Sequence, residues 1–70
     1  MEIRIDRESA VPVYLQIRGG IRDLILCGRL PDGFRLPPER QLATALGVNR
    51  TTVLSAYREL KADGLVEAHV

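Results

Sequence analysis

Residues 39–53 constrain the fold of this chain more than any other part of its sequence. They read as a short helix, a turn at Gly47 and the beginning of a second helix. The second helix opens with four side chains that can form hydrogen bonds: Asn49, Arg50, Thr51 and Thr52. A polar first turn followed by turns that face a core is typical of the recognition helix of a helix-turn-helix. The pattern therefore favours DNA binding.

Three positions in the same stretch have the side-chain sizes that this motif requires. Ala43 is small where the two helices must cross closely, Gly47 tolerates the turn, and Val53 fills the space between the helices. These three constraints and two helix caps agree, which makes the motif fairly specific. Helical hairpins of other kinds can imitate it. A helical protein-interaction or dimerisation module without DNA binding is therefore the alternative.

A first helix is predicted before this motif. Pro12 sits well at its start, and an apolar stripe at steps of three and four continues to about Gly28. The stripe consists of Tyr14, Ile17, Ile21, Leu24 and Ile25. The pair Gly19-Gly20 interrupts the stripe, and each glycine in a helix interior costs about 1 kcal/mol. Either another backbone approaches closely at this pair, or the helix is locally weak.

The second and third helices are bounded by prolines, caps and glycines. After a proline-rich loop at residues 29–38, the second helix is predicted over residues 38–46. The third runs from a cap at Asn49 to about Asp63, and Gly64 stops it. The predicted inner faces are Leu42, Ala45 and Leu46 in the second helix and Val53, Ala56, Tyr57 and Leu60 in the third. The chain is therefore expected to be mainly α.

The two ends of the chain are predicted to be less regular. Ile3 and Ile5 alternate with charged residues, so residues 1–10 form an N-terminal tail or a short strand. Residues 65–70 look like a strand, and a lone edge strand is only marginally stable. We expect the chain to end partway through a hairpin, with residues 11–70 as one domain.

Length and composition exclude several classes of function. Seventy residues allow one small domain. The single cysteine, Cys27, suits a reducing compartment and is expected to be buried or half-buried. No segment has transmembrane length or a signal-peptide pattern, which predicts a cytoplasmic protein without a membrane partner. One histidine, one cysteine and no clustered carboxylates predict neither enzyme activity nor a cofactor in this chain.

The net charge of +1 carries no information about nucleic acid, but its distribution does. Residues 35–61 contain five basic and two acidic residues, an excess of +3. Residues 1–34 contain five residues of each sign, and residues 62–70 contain two acidic ones. The positive excess coincides with the helix-turn-helix, which favours DNA as the partner. Chance scatter over solvated faces is the alternative.

Arg50 is the leading candidate for reading a base. An arginine can form two hydrogen bonds with O6 and N7 of guanine, worth roughly 1–3 kcal/mol of discrimination. Thr51 and Thr52 can bond a phosphate or contact a thymine methyl group. Ser55 lies outside the inward stripe and joins the candidates. The alternatives are a solvated arginine and threonines that serve only the first turn of the helix.

Asn49 and Arg40 each allow two interpretations. Asn49 is a good N-cap, and capping is compatible with a DNA contact. Arg40 lies near the start of the second helix, where it can clamp a backbone phosphate. It can instead pair with Glu39 or Asp63. Tyr57 belongs to the apolar stripe, which favours a core position over base stacking.

The sequence resembles one known family over residues 11–70. The matching residues are Pro12-Val13-Tyr14-Leu15-Gln16-Ile17, Gly28-Arg29-Leu30, Gly33, Leu36-Pro37, Glu39-Arg40, Leu42-Ala43, Leu46-Gly47-Val48, Arg50, Thr52-Val53, Ala56, Leu60 and Gly64-Leu65-Val66. Their order and spacing are similar to the N-terminal domain of GntR-family bacterial transcription regulators. The resemblance implies a three-helix winged helix-turn-helix, here with a truncated β-wing. It also implies a homodimer that binds a palindromic operator in double-stranded DNA.

The resemblance assigns roles by position. It implies DNA contacts from Arg40, Asn49, Arg50, Thr51 and Thr52. Leu54 stands where some relatives have a DNA-contacting arginine, and Pro38 where many have serine, so those contacts are not expected. Residues 49–53, with Ala56 and Tyr57, are similar to the MocR branch. That branch has a C-terminal domain that resembles an aminotransferase and binds pyridoxal phosphate, and no lysine site for that cofactor is recognisable here.

Overall fold

The computed structural model describes residues 3–30 and 35–66. Within these ranges the chain forms three helices: α1 (Val13–Leu26), α2 (Glu39–Leu46) and α3 (Arg50–Ala62). Their number and order confirm the mainly α, three-helix prediction. Of the predicted terminal strand, Leu65 and Val66 form a bend, and residues 67–70 lie outside the described residues. The described residues contain no strand, and none of their helices could cross a membrane.

The helix boundaries follow from proline at the beginnings and glycine at the ends. Pro12 and Pro38 occupy the N-cap positions of α1 and α2. Gly47 ends α2 with φ of 67°, a left-handed conformation in which a side chain would be strained. The amide of Gly47 donates to Thr44 O at 3.3 Å and that of Val48 to Ala43 O at 3.0 Å. These two bonds satisfy the last carbonyls of α2 and set the turn into α3.

The core lies where α1 and α2 pack against α3. Its buried members are Ile17 and Ile21 of α1, Leu42 and Ala43 of α2, and Val53, Ala56 and Leu60 of α3. The prediction that Ala43 sits at a close helix crossing is consistent with this burial. The prediction that Ala45 faces inward is wrong, because α2 turns Leu42 and Ala43 toward the core and leaves Ala45 exposed.

Cys27 is exposed, so the prediction of a buried or half-buried cysteine is wrong. The residue occupies the C-cap of α1, one position beyond the last helical residue. Burial in α1 is confined to Ile17 and Ile21, which are one turn apart on the same face. Leu26, the residue before Cys27, is also exposed. The end of α1 therefore projects beyond the packed part of the molecule.

The N-terminal segment, residues 3–12, is ordered by side-chain contacts, and no strand forms in its described part. Ile3 and Ile5 pack against the core cluster. Gln16 of α1 accepts a hydrogen bond from the amide of Asp6 at 2.8 Å and donates to Asp6 O at 2.9 Å and to Val11 O at 2.8 Å. These hydrogen bonds hold the N-terminal segment against α1. Of the two predicted forms, an ordered tail and a short strand, the ordered tail therefore describes this segment better.

One ion pair connects α1 to the end of α3. The Nε and Nη2 atoms of Arg18 both donate to Asp63 Oδ2, at 3.1 and 2.9 Å. Asp63 is the C-cap of α3, where a carboxylate is unfavourable beside the negative end of the helix dipole. Arg18 offsets that charge, and the same hydrogen bond raises the pKa of Arg18 above its ordinary value.

Candidate nucleic-acid interface

The solvent face of α3 is defined by its buried side. Val53, Ala56 and Leu60 are fully buried, and Thr51 and Arg58 lie on the opposite side of the helix, two turns apart. Both Thr51 and Arg58 are exposed. Because a single outward face continues from the first turn of α3 to its third, this helix has an accessible surface long enough to contact several bases or phosphates in a groove.

Arg50 and Glu39 join the first residue of α3 to the first residue of α2. The Nε atom of Arg50 donates to Glu39 Oε1 at 2.7 Å. The side chain of Arg50 is nevertheless 59% exposed, and that of Glu39 is 25% exposed. Arg50 is thus accessible, as the prediction of a base contact requires. It is ion-paired rather than simply solvated.

Tyr57 anchors the loop before α2 to α3. Its hydroxyl donates to Pro37 O at 2.7 Å, and its ring packs against the core cluster. Burial, with a smaller contribution from the negative charge of Glu39, raises the pKa of Tyr57 to about 12. These contacts agree with the predicted core position of Tyr57 and leave its ring half-buried.

Asn49 and Thr52 lie beside the turn, in a shallow depression shared with the N-terminal segment. The residues around it are Arg7, Val13, Gly47, Val48, Asn49 and Thr52. Asn49 occupies the N-cap of α3, but its side chain makes no capping hydrogen bond. Asn49 therefore stands at the predicted cap position but does not form the capping hydrogen bond. Its exposed side-chain amide is left available to a ligand.

Arg7 reaches the same turn from outside the helix-turn-helix. Its Nη2 atom donates to Gly47 O at 2.8 Å and to Leu46 O at 3.4 Å. The guanidinium therefore sits at the negative end of α2, where a cation is stabilising. Sequence reasoning missed Arg7, because it is forty positions from Gly47 and belongs to no periodic pattern.

Arg40 and Ser55 lie at different parts of the surface. Arg40 is exposed. It pairs with neither of the two acidic residues predicted as alternative partners, because Glu39 pairs with Arg50 and Asp63 pairs with Arg18. Ser55 is half-buried in a depression beside Tyr14 of α1. Of the six candidates, Arg40, Asn49, Arg50 and Thr51 are exposed, while Thr52 and Ser55 are half-buried.

Three basic residues line a groove between α3 and the loop before α2. The groove has a volume of about 520 Å³. It is lined by Arg35, Arg58 and Lys61, together with Pro37, Pro38, Glu39, Leu36, Leu54, Tyr57 and Val66. Three of the five basic residues between positions 35 and 61 therefore lie around one groove. Arg58 was not among the candidates, although its spacing of seven from Thr51 signals the same helix face.

The comparison with protein families identifies the helix-turn-helix. The model of the family described as bacterial regulatory proteins, gntR family, matches residues 13–70. The chain belongs to the gntR family of bacterial regulatory proteins. This family contains DNA-binding transcription regulators, and the finding favours DNA-binding regulation over the alternative of a protein-interaction module. The match begins at the first residue of α1, so it includes all three helices.

Relatives of this chain carry the names of transcription regulators. The chain is 43% identical over 65 residues to an HTH-type transcriptional regulator of Mycobacterium tuberculosis and 42% identical over 65 residues to the HTH-type transcriptional repressor YtrA of Bacillus subtilis. Each match covers 93% of this chain, and it covers 54% and 50% of the relatives. MocR of Rhizobium meliloti is 42% identical over 64 residues, covering 91% of this chain and 13% of MocR. The gntR-family chain therefore spans about half the length of the first two relatives, and identity does not assign its branch.

Solved structures confirm the fold class. YtrA from Sulfolobus acidocaldarius, a GntR-family transcription factor, superposes with a TM-score of 0.92 and 45% identity, covering 96% of this chain and 71% of that one. A transcriptional antiterminator from Listeria monocytogenes superposes with a TM-score of 0.84 and 34% identity, covering 89% and 46%. The three-helix arrangement of this gntR-family chain is thus shared with these regulators.

Proposed function

We propose that this gntR-family domain binds one half of a palindromic operator in double-stranded DNA, with α3 in the major groove. The observation that carries the proposal is the exposed first turn of α3, beside a helix-turn-helix turn closed by Gly47. Two copies in a homodimer bind the two half-sites, and the centres of these half-sites lie about 34–36 Å apart or a multiple of that distance. Binding controls transcription by occupancy of the site. Because bacterial DNA lies in the cytoplasm, the protein acts there.

Each of the six candidates, whether exposed or half-buried, has a chemically matched part of the duplex. Arg50 reads guanine through O6 and N7, and Thr51 contacts a base or a phosphate. Asn49 and Thr52 lie near the positive end of the α3 dipole, where a phosphate is favoured. Arg40, which lies on α2, binds a phosphate of the DNA backbone. Ser55 contacts the DNA strand that lies nearer to α1.

The groove lined by Arg35, Arg58 and Lys61 adds a non-specific electrostatic contribution. Basic side chains that neutralise phosphates release counterions, so affinity falls as salt rises. A single copy should therefore bind weakly and with strong salt dependence. Glu39, the acidic residue that lines the groove, is already paired with Arg50, so the remaining charges described around the groove are positive.

A duplex titration at low salt separates the proposal from its alternative. The chain is labelled and titrated with a pool of random duplexes, and the bound fraction is enriched over several rounds. The proposal predicts a retained consensus and an anisotropy change that weakens with added salt. A module that only binds protein predicts no retardation and no anisotropy change, even at high concentration of the chain. The second result would reject DNA binding outright.

A further inference from the structure

We infer that Glu39 is a specificity-determining positioning residue, whose carboxylate orients Arg50 toward a base and discourages binding to phosphates. The inference rests on the proposed function, because it concerns how α3 discriminates between duplexes. Its observation is the hydrogen bond of 2.7 Å from Arg50 Nε to Glu39 Oε1. Glu39 acts through Arg50 and needs no contact of its own with DNA.

The geometry of the bond leaves the useful edge of Arg50 unoccupied. A guanidinium has five N–H donors in a rigid planar fork. The bond to Glu39 uses the single N–H on Nε, so the paired Nη1 and Nη2 groups remain. Those two groups can donate in parallel to O6 and N7 of guanine. Glu39 therefore fixes the fork without occupying the edge that reads the base.

Glu39 is held more firmly than the arginine it orients. It is the first residue of α2, directly after Pro38, and the Leu42 amide donates to Pro38 O at 3.1 Å to close that turn. The Glu39 side chain is 25% exposed, against 59% for Arg50. Its carboxylate also lies at the positive end of α2, where a negative charge is stabilising for the helix. A less exposed carboxylate that holds a more exposed arginine reduces the number of orientations the arginine must give up on binding.

The charge of Glu39 also works against non-specific binding. An unpaired arginine at the start of α3 would add an attraction to any phosphate, regardless of sequence. Pairing with Glu39 neutralises that attraction and places a negative charge beside the groove. At a specific site the base contact of Arg50 offsets the repulsion between Glu39 and the phosphates. At a non-specific site no base contact offsets it. Glu39 therefore improves discrimination at the expense of total affinity.

Variants of Glu39 test the inference through a ratio of affinities. Dissociation constants are measured at one salt concentration for a duplex selected by the wild-type chain and for a duplex of equal length with shuffled half-site bases. Glu39→Gln keeps the size of the side chain and a neutral acceptor, whereas Glu39→Ala removes both. We expect the ratio to fall about fivefold in Glu39→Gln and about tenfold in Glu39→Ala, with tighter binding to the shuffled duplex. Thermal unfolding shows whether both variants fold.

Matched controls separate positioning from loss of charge. Glu8→Gln and Glu8→Ala make the same charge change at an exposed residue of the N-terminal segment and should leave the ratio unchanged. In the Arg50→Ala background, the Glu39 substitutions should no longer alter the ratio, because the residue they orient is gone. Equal effects of Glu39→Gln and Glu39→Ala, or equal effects in the Glu39 and Glu8 variants, would overturn positioning and leave only a general charge effect.

The outcomes also distinguish this inference from the proposed function. If Arg50→Ala lowers the ratio and neither Glu39 variant does, the inference fails and the proposed base contact stands. If Arg50→Ala leaves the ratio unchanged, both the base contact and its positioning by Glu39 fail, while binding of DNA by other residues stands. If the wild-type chain selects no duplex, the proposed function itself fails.

Discussion

A Cβ atom placed on Gly20 would lie 3.2 Å from Cγ2 of Ile3, so the N-terminal segment packs directly on the glycine of α1. A Cβ atom on Gly19 would meet nothing within 4 Å. The two neighbouring glycines therefore have different explanations. Gly20 makes room for a side chain, whereas Gly19 weakens the helix without an evident packing gain among the described residues.

The glycine pair predicts different results from the same substitution. Gly19→Ala should raise the free energy of unfolding by up to about 1 kcal/mol, because alanine is the better helix former and its methyl group meets open space. Gly20→Ala should gain less or be destabilising, since Ile3 must move by a few tenths of an ångström. Urea denaturation of both variants measures the difference. Equal stabilisation would show that Ile3 does not pack on Gly20.

Loss of Arg7 should loosen the turn of the helix-turn-helix. Arg7→Ala removes the hydrogen bonds from Nη2 to Gly47 O and Leu46 O at the end of α2. We expect a loss of roughly 0.3–1 kcal/mol in unfolding free energy, the range typical of an exposed cation at a helix C-terminus. Arg4→Ala provides a control in the same segment, at an exposed arginine. The expectation fails if the two variants lose the same stability.

The ionisation of Tyr57 should make the fold sensitive to high pH. Burial, with a smaller contribution from Glu39, raises its pKa from 10.0 to about 12, so between these values the folded chain retains a proton that the unfolded chain releases. The stability from this group is present below pH 10 and is lost as pH rises through about 12. Phenolate absorbance in a Tyr14→Phe variant isolates Tyr57. A titration centred on the ordinary tyrosine value would contradict the burial.

The same titration reports on the neighbour of Tyr57. Removal of the negative charge in Glu39→Gln should lower the pKa of Tyr57, because Glu39 contributes to raising it. Burial is the larger cause, so the pKa should stay above its ordinary value in the variant. Glu8→Gln, with the same change of charge at a distant exposed position, should leave the titration where it was. A Tyr57 pKa that is insensitive to Glu39→Gln would place the two groups farther apart than the structure does.

The fold could be predicted where short-range patterns determine it. Apolar spacing and the positions of proline and glycine gave three helices with ends within two residues of those observed, because caps and helix periodicity are local properties. Ala45 and Cys27 were misplaced for a different reason. The rotation of the short helix α2, which decides whether Ala45 is buried, depends on how α2 packs against α3. The exposure of Cys27 likewise depends on how far α1 extends beyond its contact with α3. The sequence pattern leaves more than one apolar face possible.

The exposure of the first turn of α3 was predictable from the sequence, whereas the side-chain partners of its residues were not. The exposed first turn of α3 follows from the same periodicity that buries Val53. The pairing of Arg50 with Glu39 joins two helix starts eleven positions apart, and the contact of Arg7 with Gly47 spans forty. No periodic signal connects such positions, since their proximity results from how the helices cross.

The affinity of an Arg50→Ala variant tests the central claim most directly. Wild type and variant are compared at fixed salt on the duplex that the wild-type chain selects, with Arg29→Ala as a control for loss of one exposed positive charge beyond α1. If the first turn of α3 reads bases, Arg50→Ala weakens specific binding by at least about 1 kcal/mol, and Arg29→Ala changes it less. An Arg50→Ala chain that is fully folded and binds the selected duplex as tightly as wild type would contradict the account.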